Sequence, residues 1–134
     1  MASEKILFKE ESYAIQGAIF EVYREMGSGF MESVYQECLE RELTIRGIPF
    51  EAEKELQLLY KGEALGQRFK PDLICHSKII VELKAVSSEL GECEEKQLRN
   101  YMNILGVDRG LLINFQTPGR KQGKTQIEIR EVQP

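Results

Sequence analysis

The sequence predicts an α/β fold, a mixed central β-sheet flanked by helices, with elements in the order α-α-β-β-β-α-β-β. Three observations carry that expectation: two amphipathic helical segments come first, the apolar period changes to two after residue 50, and one helical segment lies between strongly apolar strands. The chain has 134 residues, which suits a single domain spanning 1–134, and its 42% hydrophobic and 30% charged residues are ordinary for a globular protein that closes its own core.

Each element follows in order. Residues 11–26, ESYAIQGAIFEVYREM, set Ile15, Ala18, Ile19, Val22, Tyr23 and Met26 at helical spacing. GSGF then breaks the helix. A second helix from Met31 to Arg46 lines up Val34, Tyr35, Cys38, Leu39 and Leu43, and Gly47 and Pro49 end it. Leu56, Leu58 and Tyr60 alternate, YKGEAL reads as a hairpin turn, and Leu65, Gln67 and Phe69 begin the returning strand that leads to Asp72. KIIVELKAV is a third strand, reached through a turn at His76 and Ser77. Residues 92–105 return to helical spacing through Leu98, Tyr101, Met102 and Leu105, and Gly106 stops them. GLLINF is a nearly continuous apolar run, expected of a central strand covered on both faces, and TQIEIREV alternates as an edge strand does.

Composition excludes several function classes. The formal net charge is −4, so contact with nucleic acid would need a local basic patch. No run approaches the roughly 20 apolar residues of a membrane span, and the first residues lack a secretory apolar region. Cys38, Cys75 and Cys93 form no CxxC pair; they read as small semi-buried thiols of a cytoplasmic protein. His76 is the only histidine, which leaves little for a histidine-based triad or metal cage, and its expected place is the turn between two strands.

The anomaly is PDLICHSKIIVELKAV. Alternation puts Glu82 and Lys84 on one face of a strand that is otherwise Ile, Val and Leu. A short turn at His76–Ser77 would bring Asp72 beside Glu82. Adjacent carboxylates repel and are costly to bury unless a cation lies between them. A hard divalent ion such as Mg²⁺ needs only one or two protein carboxylates, and Lys84 one pleat away could orient water or steady negative charge on a phosphate. The alternative is a surface ion pair between Glu82 and Lys84.

This segment, Pro71-Asp72 followed by Glu82-Leu83-Lys84, resembles the signature of the PD-(D/E)xK nuclease superfamily. Upstream, Gly29-x-x-Glu32-x-x-Tyr35 resembles the motif for which the GxxExxY protein family is named, and downstream Gln97-x-x-x-Tyr101 resembles the QxxxY helix of the exonuclease branch. The likeness covers roughly residues 10–132, and the ordered set of motifs is more specific than any one of them. It implies a restriction-endonuclease-like fold with Mg²⁺ or Mn²⁺ as cofactor. Glu32, Asp72, Glu82 and the Leu83 carbonyl would serve as metal ligands. Lys84 would orient the attacking water, and Gln97 and Tyr101 would reach a phosphate or that water. Read locally, Glu32 sits in a helix's first turn, where the dipole favours a carboxylate, and shares a face with Tyr35 and Gln36. Gly29 would allow the tight turn before it. Tyr35 reads as a packing residue with a tethered hydroxyl, and Tyr101 and Gln97 read equally well as core and solvated positions.

Candidate phosphate contacts are Arg68, Lys70, Arg99, and Arg120, Lys121 and Lys124 in the loop PGRKQGK, which reads also as a solvated hairpin turn. The absence of Trp and the scarcity of exposed aromatics argue against a base-stacking platform. The expected function is a metal-dependent phosphodiesterase acting on nucleic acid, DNA in preference to RNA, with no membrane partner and a homodimer compatible with so small a domain. The alternative is a catalytically silent module that binds nucleic acid or protein on the same scaffold.

Overall fold

The computed structural model describes the backbone of residues 2–119 and 125–134, and side chains from residue 9 onward within them except that of Thr125. Arg120, Lys121 and Lys124 of the basic loop lie outside the described residues. Two helices come first, α1 (Ala2–Met26) and α2 (Glu32–Ile45). Then follow β1 (Phe50–Ala52), β2 (Leu56–Tyr60), β3 (Glu63–Phe69), β4 (Leu73–Cys75) and β5 (Ile79–Lys84). The crossover helix α3 (Glu92–Leu105) and strands β6 (Arg109–Pro118) and β7 (Thr125–Val132) complete the fold.

The main sheet has the order β1-β4-β5-β6-β7. Among the described strands only the β5–β6 pair is parallel, as a strand-helix-strand crossover through α3 requires. Helices α1 and α2 cover one face, where Ile15, Ile19, Tyr35, Leu39 and Leu43 pack on Val81, Leu83, Ile113 and Phe115. The other face is covered by α3, through Leu98 and Met102 on Ile80 and Leu112. β6 lies between β5 and β7 with buried side chains on both faces, and β7 forms an edge.

Two strands more than expected precede α3. The Pro49-flanked stub β1 pairs with β4, too short at three residues to leave a periodic signal. The strand expected to lead from Leu65 through Asp72 ends at Phe69, and a separate strand starts at Leu73, because Pro71 between them cannot donate to a ladder. β2 and β3 form a separate two-stranded ribbon, turned at Lys61–Gly62, on which Leu59, Tyr60 and Leu65 are exposed rather than in the core. Helix α1 begins nine residues earlier than the expected bound, through a stretch rich in the good helix formers Glu, Lys and Leu. Cys75 is buried and Cys38 half-buried, as expected, but Cys93 is exposed on the first turn of α3. No helix among the described residues is long and apolar enough to cross a membrane.

One close approach sets the position of α3. A Cβ built on Gly110 in β6 would lie 2.9 Å from Leu98 Cδ2 and 3.0 Å from Met102 Sδ. The helix therefore rests directly on backbone at that point. Gly110→Ala is expected to push α3 outward and destabilise the fold by about 1–3 kcal/mol, measured by urea unfolding. An unchanged midpoint would show that α3 tolerates the shift.

Candidate active site

The site is built at the point where β4 begins. β4 and β5 pair antiparallel through Leu73↔Val81, Ile74↔Ile80 and Cys75↔Ile79. The turn joining them carries His76 and Ser77 at φ 54° and 57°, with the Lys78 N–H donating to the Cys75 carbonyl at 3.0 Å. Extending the register past Leu73 sets Asp72 across from Glu82 and Pro71 across from Leu83. Proline has no N–H, so the ladder stops there. Side chains replace it: the Asp72 N–H donates to Glu82 Oε1 at 2.8 Å, and the Leu83 N–H donates to Asp72 Oδ2 at 2.8 Å. Asp72 itself sits in the bend before β4 rather than within a strand.

These bonds hold two carboxylates side by side on the α3 side of the sheet. Each has one oxygen committed to a backbone N–H and one left over. Neither forms an ion pair with a basic side chain among the described residues, and Glu82 and Lys84 form no ion pair with each other. Burial, then the neighbouring Asp72 charge, push the Glu82 carboxyl up to about 8. Asp72 is raised as well, chiefly by burial and further by Glu53, against the opposing pull of the Leu83 N–H and Lys84. Glu53, whose N–H donates to the Asp72 carbonyl at 3.1 Å, was not among the expected site residues.

Glu32 is the first residue of α2 and is exposed, yet partial desolvation and the Asp72 charge raise its carboxyl too. Among the described residues, no three His, Cys, Asp or Glu side chains converge closely enough to cage an ion by themselves. The donor set nevertheless suits Mg²⁺ or Mn²⁺, which keep several waters and need one or two carboxylates. Asp72 and Glu82 supply those, and the extended register sets Leu83 opposite Pro71, which has no N–H.

Flanking residues are held firmly. Gly29 takes φ 105° in the turn between α1 and α2, which only glycine adopts without strain. Tyr35 is fully buried; its hydroxyl donates to the Gly27 carbonyl at 2.6 Å and accepts the Phe30 N–H, and its ring stacks on Phe115 at 4.1 Å. The tyrosine thus closes the turn that launches Glu32. Gln36, one turn after Glu32, donates to the Asp72 carbonyl at 3.3 Å. On α3 the Gln97 amide donates to the Tyr101 hydroxyl at 2.9 Å, and the Tyr101 ring stacks on Phe69 at 4.6 Å. Burial, then Glu82, raise the Tyr101 phenol and keep it protonated.

The basic candidates are scattered. Arg68 donates to the Leu65 carbonyl on the ribbon, and Lys70 pairs with Glu55 at 3.6 Å. Arg99 donates to the Gln133 carbonyl and reaches Glu95, so it faces the C-terminal strand. Exposed aromatics are less scarce than expected, with Tyr13, Phe20 and Tyr60 each more than half exposed. None of them lines the open groove of about 530 Å³ that begins at Lys84 and follows α3. His76, in its turn, takes no part in the site.

A residue missing from the expected set is Asn114, fully buried and level with Lys84 on β6. Its amide donates to the Val86 and Ser88 carbonyls and its oxygen accepts the Val86 and Gln116 N–H groups, all within 3.1 Å. It thereby pins the loop from the Glu-Leu-Lys strand to α3. One amide inside the apolar run GLLINF was the available signal.

The comparisons decide the family. A family model of the PD-(D/E)XK nuclease superfamily matches residues 9–127. The chain belongs to the PD-(D/E)XK nuclease superfamily. The mixed sheet flanked by helices is the restriction-endonuclease-like architecture expected of that superfamily. No curated protein matches. The crystal structure of SSO0001 is similar at 23% identity with a TM-score of 0.56, over 75% of this chain, a likeness of fold alone. This chain spans 48% of that protein's length.

Two outcomes follow from the site's geometry. A glutamate gives up its proton near 4.5 when unfolded, whereas folded Glu82 keeps it up to about 8. The folded state binds more protons between those values, so stability falls as pH rises through 4.5 to 8. Thermal melts of metal-free protein are expected to show that slope, and Glu82→Gln to flatten it; an equal slope in both proteins would assign it elsewhere. Asn114→Leu strands four backbone groups and is expected to cost at least about 2 kcal/mol, read by urea unfolding, with faster amide exchange in the loop at Val86.

Proposed function

We propose that the chain is a divalent-metal-dependent phosphodiesterase that hydrolyses a nucleic-acid backbone, with DNA its substrate in preference to RNA. The observation that supports this most is the apposition of Asp72 and Glu82 by backbone hydrogen bonds, with no arginine or lysine within ion-pair reach of either among the described residues. Two neighbouring carboxylates raised chiefly by burial, Glu82 also by the Asp72 charge, are unfavourable alone and favourable around a cation.

Asp72, Glu82 and the Leu83 carbonyl would hold the ion, with Glu32 reaching it through water. When bound, the ion supplies positive charge to the phosphate and acidifies a nearby water. Lys84, on the same face as Glu82, places its ammonium where it orients the attacking water and counters charge accumulating on the phosphate. Tyr101, protonated and held by Gln97, offers its hydroxyl to a phosphate oxygen. Arg68 and Lys70, on the approach to Asp72, add positive charge beside the path of the substrate.

Asp72→Ala, Glu82→Ala and Lys84→Ala are each expected to lower metal-dependent cleavage about 100-fold or more. The circular-dichroism spectra should stay native. Substrates for the test are single-stranded, duplex and branched DNA and RNA, with and without Mg²⁺ or Mn²⁺. Calorimetric titration should show ion binding by the native chain and its loss in Asp72→Ala and Glu82→Ala. Undiminished cleavage by purified Asp72→Ala protein overturns the assignment. Nucleic-acid binding without cleavage of any substrate would identify a silent binding module instead.

A further inference from the structure

Resting on that reading, we infer that the substrate strand runs along α3 from Lys84, its phosphates held by Lys96 and Asn100. Neither residue belongs to any motif in the sequence. The open groove of about 530 Å³ is lined by Lys84, Cys93, Glu94, Lys96, Gln97 and Asn100. The helical members stand at positions i, i+1, i+3, i+4 and i+7, so Cys93, Lys96, Gln97 and Asn100 form one stripe along the helix. At one end the groove is continuous with Lys84 of the catalytic strand, and Gln97 joins it to Tyr101 through their hydrogen bond.

Charge sets where along α3 the strand lies. The helix's first turn carries Glu92, Glu94 and Glu95, which repel a phosphate from the N-terminus despite its favourable dipole. Glu94 is the carboxylate in the groove; it accepts the Gly91 N–H at 2.9 Å, which holds its carboxyl below the usual range and keeps it charged. The path therefore lies beyond Glu94, where Lys96 and Asn100 follow one turn apart. Both are exposed, and among the described residues Lys96 has no carboxylate within ion-pair distance and the Asn100 side chain has no hydrogen-bond partner. Arg99, the helix's other cation past the first turn, is engaged by Gln133 and Glu95 on the opposite flank. A phosphodiester backbone matches a lysine, an amide and the Lys84 ammonium in one open trough.

The test measures binding apart from cleavage. Fluorescence anisotropy of a labelled single-stranded oligodeoxynucleotide, with Ca²⁺ replacing Mg²⁺, gives Kd over a salt series for four proteins: native, Lys96→Ala, Asn100→Ala and Arg41→Ala. Arg41 lies on α2, exposed and paired with Glu37, and its loss removes the same unit of charge away from the groove. Lys96→Ala is expected to weaken binding about three- to tenfold and to reduce the salt slope by about 0.7, one phosphate contact. Asn100→Ala should weaken binding about threefold with an unchanged slope, and Arg41→Ala should leave both within error. Native affinity and slope in Lys96→Ala, or an equal loss in Arg41→Ala, overturn the path along α3. If the native chain still cleaves in Mg²⁺ in that case, the phosphodiesterase reading stands alone. A native chain that neither binds the strand nor cleaves it overturns both.

Discussion

The ladder between β4 and β5 ends at a proline, and the polar groups beyond that end have to be satisfied by something other than backbone. Asp72 and Glu82 do it, each accepting one N–H from the other's strand. Buried backbone donors are rarely left unpaired, so neither carboxylate can rotate away without exposing a stranded N–H. That constraint forces two acids together at a place where the core would otherwise be closed. The cost appears in the raised affinity of both for protons, greatest for Glu82 at about 8.

Such strain persists only when the surroundings over-determine it. Here β5 is anchored from both faces of the sheet. Ile79, Val81 and Leu83 are fully buried toward α1 and α2, and Ile80 toward α3. Burial of these side chains is worth about 1.5–3 kcal/mol apiece, enough to carry one unfavourable pair of acids. Around the pair, each helix is fixed by a specific contact. Tyr35 locks the turn before α2 while Gln36 reaches the Asp72 carbonyl, Gly110 admits α3 onto bare backbone, and Asn114 ties the loop after Lys84. Residues of the site thus hang from rigid elements rather than from mobile loops.

The β2–β3 ribbon is the exception. Two strands alone are marginal in water, and this ribbon buries little beyond Phe69, whose ring rests on Tyr101. That stack couples the ribbon to α3 and hence to the groove. With a net charge of −4, strand binding there depends on a local arrangement: the first turn of α3 is acidic, and Lys96 lies in the groove beyond it.

Local rules were enough for much of this. The bounds of α3, its stop at Gly106, the apolar centre of β6 and the alternation of β7 follow from helical and strand periods, which one stretch of chain sets by itself. The pairing of Asp72 with Glu82 was legible too, since a tight turn at His76–Ser77 leaves two strands no other register. Breaks were not: Pro71 splits one expected strand into two, and the ribbon's leucines alternate as core residues do although no layer covers them. Whether an alternating face is buried depends on what packs against it, and that is a property of elements distant in sequence. The same reason hid Asn114, Lys96 and the turning-away of Arg99. A residue's type and spacing determine which face of an element it takes, while only the assembled layers decide what that face meets.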